Sequence, residues 1–188
     1  TPSGAWLADA AAATERTLKS LAPRFDASKS VVEQREATSK DGTKIPYFMV
    51  HPKGMALDGN NPTIIYAYGG FEASMTPAYN EDAGKLWVEQ GGVFVVANIR
   101  GGGEFGPAWH DAGLKTKRQV IYDDFQAVAE ELIARKVTSP RRLGIQGGSN
   151  GGVVLGVQVH QGPRSRDTAG NQGPPLELPG LEQMQAWP

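Results

Sequence analysis

Cysteine is absent from the 188 residues, which removes disulfides, thiolate zinc sites, iron–sulfur ligation and a cysteine nucleophile in one step. An excess of charge of either sign is missing too. Lys+Arg at 19 stand against Asp+Glu at 20, a formal net charge of -1, so no broad positive field exists to hold nucleic acid or an anionic membrane surface. Long apolar runs are lacking: Val93 to Ala97 is among the longest, far below the roughly 18 residues of a membrane helix. Neither a basic-then-apolar leader nor an initiator Met opens the chain, and a trimmed or partial sequence is expected. Neither nucleic-acid nor membrane partners are expected. The expectation is a soluble protein without a targeting segment, of the cytoplasm or the periplasm. Histidine is scarce at 3 residues, while Gly at 24 and Pro at 13 are plentiful, and the glycine positions carry most of the information.

The first thirty residues, Ala-rich around Trp6 to Ala13 and polar afterwards, follow neither a helical nor a strand period. From Val31 the pattern changes. Val31 to Ala37 and Ile45 to Val50 are short β-branched and aromatic runs separated by Lys40-Asp41-Gly42, which predicts a β-hairpin. Thr63 to Tyr68 and Val93 to Ile99 are continuous rather than alternating, as strands covered on both faces are. Between them Glu81 to Gln90 predicts a helix with Leu86 and Trp87 on its apolar side. Ile121, Phe125, Val128 and Leu132 step by four, three and four, which places them on one face of a helix between Val120 and Lys136. Asp123 and Asp124 fall in its first turns, where negative charge suits the helix dipole. A short strand from Arg142 to Gln146 leads through Gly147 to Gly152 into the apolar helix Val153 to Val159. Strands alternating with helices, each strand ending in glycines, indicate an α/β fold with a mainly parallel sheet and flanking helices. From Gly162 to Pro188 the chain is rich in Pro and Gly and shows neither period, so an irregular C-terminal tail is expected.

Gly147-Gly148-Ser149-Asn150-Gly151 is a G-x-S-x-G placed after a strand and before an apolar helix. A strand-to-helix turn too tight for flanking side chains forces glycines around a Ser whose oxygen projects from the sheet edge. The helix that follows aims its first N–H groups at a developing oxyanion. A second pattern competes: Gly101-Gly102-Gly103-Glu104-Phe105-Gly106 satisfies G-x-G-x-x-G, with Asp123 about twenty residues on. Its context argues against dinucleotide binding, since Asp123 belongs to a helical pattern and Pro107 and Gly113 interrupt the helix expected at Gly106. The three histidines offer no base for Ser149. His160 lies eleven residues beyond it on the same helix, roughly 16 Å along the axis, and His51 and His110 read as surface or loop residues.

Tyr66-Ala67-Tyr68-Gly69-Gly70-Phe71, Ala97-Asn98-Ile99-Arg100 with the glycine loop to Gly106, and Gly147 to Gly152, in this order and spacing, closely resemble the catalytic domain of the prolyl oligopeptidase family of serine peptidases. The resemblance runs from about Val31 to Gln161. Residues 1–30 look like a remnant of the β-propeller, or its linker, that precedes that domain in the family; residues 31–161 correspond to the N-terminal part of an α/β-hydrolase domain, and 162–188 to the tail. The resemblance implies an incomplete α/β-hydrolase fold and an acyl-enzyme on Ser149. It makes Tyr68 and the backbone N–H of Asn150 the oxyanion donors, and Gly147 and Gly151 the elbow glycines. It implies no cofactor and no metal, and a short, proline-containing peptide as substrate. The family's Asp, His and proline pocket lie on later strands and loops without counterparts here, so impaired turnover is expected, and the abrupt end of similarity after Gln161 suggests a shifted reading frame or an artificial junction. A related esterase or acyl-peptide hydrolase, or a noncatalytic protein of hydrolase fold, are the alternatives.

Overall fold

The computed structural model describes residues 4–9, 11–161 and 168–172. Strands β1 (Gly4–Asp9) and β2 (Thr14–Ser20) pair with each other as a separate antiparallel hairpin. The predicted hairpin follows as β3 (Ser30–Thr38) and β4 (Lys44–Pro52). Its turn uses the residues that the sequence singles out. Asp41 Oδ1 accepts the Thr43 N–H at 3.0 Å, and Gly42 stands at φ 87, a backbone setting that favours glycine. The continuous apolar runs become β5 (Thr63–Tyr66) and β6 (Val93–Ala97), and the strand before the Ser turn is β7 (Leu143–Gly148). With β8 (Thr168–Gln172) they complete a six-stranded sheet of order β3-β4-β6-β5-β7-β8. β4 runs antiparallel to both of its neighbours, β3 and β6, while β6, β5, β7 and β8 run parallel.

The longest helix, α3 (Gln119–Ala134), buries the four residues that its period picks out: Ile121, Phe125, Val128 and Leu132. They join Tyr47, Ile65, Val95 and Ile145 from the sheet in one core, and this burial of apolar area is what holds helix to sheet. Helix α4 (Asn150–Gln161) follows β7 directly. Among the described residues no helix is long and apolar enough to cross a membrane.

Three expectations need correction, and one segment without a period proves to be structured. The helix expected over 81–90 is the shorter α1 (Glu81–Leu86), capped by the Asn80 side chain, after which a 3-10 turn runs to Gln90. Leu86 is exposed and Gly84 is buried instead; the Phe25 ring lies where a Cβ on Gly84 would go, which fixes the buried face on the opposite side of the helix from the predicted one. The first thirty residues contain a hairpin despite having no period, because nearly every residue of β1 and β2 is exposed and a strand with no covered face has no reason to alternate. His51 is buried, at 8% exposure, its ring Nδ1 2.9 Å from the Pro52 carbonyl oxygen and Nε2 3.5 Å from Glu33. Finally, within the segment expected to be irregular, Thr168–Gln172 pairs with β7 from Gly144 to Gly148. Ladder hydrogen bonds ask little of side-chain pattern, and β7 would otherwise present an open edge. The remainder of 162–188 lies outside the described residues.

Candidate active site

β5, β6 and β7 are parallel neighbours, so the segments after them emerge at one edge of the sheet, where α/β folds place their ligands. Tyr66 is in register with Gln146, which brings the Tyr68-Gly69-Gly70-Phe71 segment beside the turn at Ser149. Ser149 is exposed at φ 50, a left-handed setting that costs a residue with a Cβ about 1–2 kcal/mol. Its flanks show why the turn needs glycine. A Cβ on Gly147 would stand 2.6 Å from the Gly151 carbonyl oxygen, and one on Gly151 would stand 2.5 Å from the Ala67 carbonyl oxygen. The hydroxyl is therefore presented on a strained strand-to-helix corner, as a nucleophile elbow requires. Asn150 begins α4, so its backbone N–H is one of the first four that no intrahelical carbonyl accepts, at the positive end of the helix dipole.

The Asn150 side chain is 7% exposed and reaches back to the Tyr68 segment. Its Nδ2 donates to the carbonyl oxygens of Tyr68 at 2.8 Å and Gly69 at 3.0 Å, and its Oδ1 accepts from Arg118 Nη2 at 2.9 Å. A Cβ on Gly70 would sit 2.5 Å from that Nδ2. A cavity of about 180 Å³ opens here, lined by Gly70, Phe71, Gly101, His110, Arg118 and Asn150 among others. A larger open groove, about 600 Å³, is lined by Phe25, Tyr79 and Lys85 and shares no residue with this edge. Phe71 is 78% exposed at φ 54, and its ring lies 6.5 Å from that of half-buried Tyr68.

The glycine loop after β6 packs backbone against backbone on the same segment. A Cβ on Gly101 would meet the Gly69 carbonyl oxygen at 2.6 Å, and one on Gly103 the Glu72 carbonyl oxygen at 2.1 Å. Gly101 and Gly103 are thus taken up by a neighbouring loop, not left open to cradle a phosphate. Pro107 does not interrupt the helix after them; it starts one. α2 (Pro107–Asp111) has Pro in its first turn, where the missing N–H is no loss, but it lasts only five residues. Asp123 stands on α3, as its period predicts.

Beneath this loop lies a buried ion cluster that sequence reasoning missed. Arg100 and Asp124 are 7% and 0% exposed. The guanidinium donates to Asp124 from Nε at 2.8 Å and Nη2 at 2.6 Å, and to Asp41 at 2.5 Å. Ser39 donates to Asp124 at 2.6 Å. The hydrogen bond from Arg100 holds the Asp41 carboxyl well below the usual carboxylate range, and the Asp124 carboxylate raises Arg100 further despite its burial. Asp124 therefore binds a specific partner and is not merely a charge in the dipole's field. A charge at the foot of a glycine loop marks the position of Arg100 but not its partner; Arg118 carried no signal.

Among the described side chains, neither histidine is brought to Ser149. His51 sits at the far end of β4, opposite Val31 in β3, on the sheet edge away from the elbow. His110 Nδ1 lies 2.6 Å from the Gly101 carbonyl oxygen and 3.3 Å from the Glu72 backbone nitrogen, so the ring is engaged by these two loops and not by the serine. His160 belongs to α4, well along the helix that Asn150 begins.

Comparison with known proteins bears on the family and the fold. The model of the prolyl oligopeptidase family matches residues 79–174. Uncharacterized peptidase y4nA of Sinorhizobium fredii is 56% identical over 185 residues, 98% of this chain and 26% of that protein. The prolyl endopeptidase of Elizabethkingia meningoseptica is 44% identical over 140 residues, 74% of this chain and 20% of that protein. Among solved structures, a post-proline cleaving enzyme from Rickettsia typhi superposes with a TM-score of 0.80 at 47% identity, covering 86% of this chain and 24% of that one. The chain thus spans about a quarter of the length of the relatives it matches.

Proposed function

The chain belongs to the prolyl oligopeptidase family, with part of an α/β-hydrolase fold, and we propose that it acts as the nucleophile-bearing portion of a serine-type endopeptidase. The observation that carries this reading is the backbone of Ser149, held at φ 50 between two glycines that cannot be replaced without collision. Strain of this kind persists where function uses it. In the proposed reaction Ser149 Oγ attacks the carbonyl of a peptide, and the oxyanion that forms is met by the Tyr68 hydroxyl and the Asn150 backbone N–H. The C–N bond then breaks, the serine proton passes through a base to the leaving amine, and water hydrolyses the acyl-enzyme with return of the proton.

The substrate proposed is a short peptide containing proline, supported by the names of two relatives, a prolyl endopeptidase and a post-proline cleaving enzyme. Residues 1–30 are read as the remnant of a preceding β domain or its linker, supported by the exposed hairpin that they contain. Because no histidine among the described side chains faces Ser149, the 188 residues alone should hydrolyse peptides slowly. Loss of a triad member leaves only the oxyanion hole and binding. The test is covalent labelling by an alkyl fluorophosphonate, followed by intact mass and peptide mapping. Labelling confined to Ser149 and abolished in Ser149→Ala supports the reading; labelling elsewhere, or unchanged in Ser149→Ala, overturns it.

A further inference from the structure

We infer that the Asn150 carboxamide is a positioning group that fixes the distance between the two arms of the oxyanion hole, and that Arg118 sets which way round that carboxamide sits. This rests on the reading of the Tyr68 hydroxyl and the Asn150 N–H as oxyanion donors. The two donors come from segments 82 residues apart, one following β5 and one following β7, and a hole made of two independent pieces stabilises charge only if both aim at one point. The Asn150 side chain supplies the missing link, since it leaves the residue that carries one donor and ends on the backbone of the residue that carries the other. Both of its N–H groups are used, on Tyr68 and Gly69. Its oxygen takes Arg118.

The orientation of the amide is decided by charge. Turned over, it would set its N–H₂ against a guanidinium and its oxygen against two carbonyl oxygens, leaving buried groups unpaired at about 1–3 kcal/mol apiece. Arg118, which only donates, excludes that state. The clamp also explains a glycine that backbone conformation does not: Gly70 is not at positive φ, yet a Cβ there would drive into the Asn150 amide at 2.5 Å. The second glycine of the Tyr-Gly-Gly-Phe segment is thus required by an asparagine in the serine turn. Asn150 carries two separate tasks, one through its backbone and one through its side chain, and substitution separates them because the backbone N–H survives in Ala or Asp.

The experiment uses the whole chain and two readouts. The rate of fluorophosphonate labelling at Ser149 is measured in a cycle of Tyr68→Phe, Asn150→Ala and the double variant. Amide hydrogen exchange over residues 66–72 needs no reactivity and is measured in Asn150→Ala, Asn150→Asp and Arg118→Met, with melting curves to confirm folding. In the parent, Tyr68→Phe should slow labelling about 10-fold or more; in the Asn150→Ala background the same change should cost less than about 2-fold, because a donor no longer held in place has little left to lose. Exchange at 68–72 should rise about 10-fold in all three clamp variants. Asn150→Asp should be as defective as Asn150→Ala although its carboxylate can pair with Arg118, since it turns an acceptor toward two carbonyls. Additive losses in the cycle, or Asn150→Asp matching the parent in exchange, would overturn the inference. A Tyr68→Phe variant that labels like the parent while exchange responds as stated would sink the oxyanion reading and leave the clamp standing. Should Asn150 variants fail to fold, Arg118→Met decides through exchange alone.

Discussion

At Ser149 a side chain is kept where the backbone would favour none, and the cost can be separated from the chemistry. At φ 50 a Cβ is opposed by its own carbonyl, whereas glycine is not. Ser149→Gly should therefore be more stable than Ser149→Ala by about 1 kcal/mol in urea unfolding, while both lose labelling at this position. Equal stability would mean that the corner is relaxed and the strain argument fails. The residue types at this turn were legible from sequence, because glycine around serine after a strand has a steric reason that does not depend on distant partners. Arg100 and Asp124 were not. Their pairing joins residues 24 apart through a buried contact, and nothing in the local pattern of either residue announces it. Arg118 was invisible for the same reason, its partner Asn150 lying 32 residues away.

Elements were readable in proportion to how one-sidedly they are buried. α3 covers the sheet with a single face, so the spacing of Ile121, Phe125, Val128 and Leu132 gave both its existence and its buried side. β5 and β6 lie inside the sheet and read as unbroken apolar runs. The β1–β2 hairpin has no covered face and left no period. For α1 the run of residue types was right and the phase wrong, because the Phe25 ring from outside the helix decides which face is buried. The contrast between α1 and α3 can be measured. Phe125→Ala removes a fully buried ring and should cost about 3–5 kcal/mol. Leu86→Ala, at 72% exposure, should change stability by no more than about 0.5 kcal/mol. A loss at Leu86 comparable to that at Phe125 would restore the predicted apolar side of α1 and contradict the structure.

For the molecule as a whole, a net charge of -1 at pH 7 gives way to a positive one in acid, and on top of that general repulsion particular carboxylates add a response of their own. Two of them are held ionised by arginine: Asp41 by the hydrogen bond from Arg100, and Glu33 by that from Arg35. A carboxyl whose folded pKa lies below its unfolded value contributes stability that is present above the unfolded value and is lost as pH falls through the folded one. Here the unfolded value is about 3.9 for Asp and 4.3 for Glu, so the loss should set in below about pH 4 and continue downward. Arg100 keeps its charge throughout, its pKa being raised further. Protonating Asp41 therefore leaves a guanidinium at 8% side-chain exposure with Asp124 as its remaining carboxylate partner. The Asp41 side chain is 47% exposed, and solvent screening makes its share modest. Asp41→Asn should accordingly lower the melting temperature slightly at neutral pH and flatten its fall between about pH 4 and pH 2. Parallel curves for parent and variant across that range would mean that Asp41 does not carry the acid response.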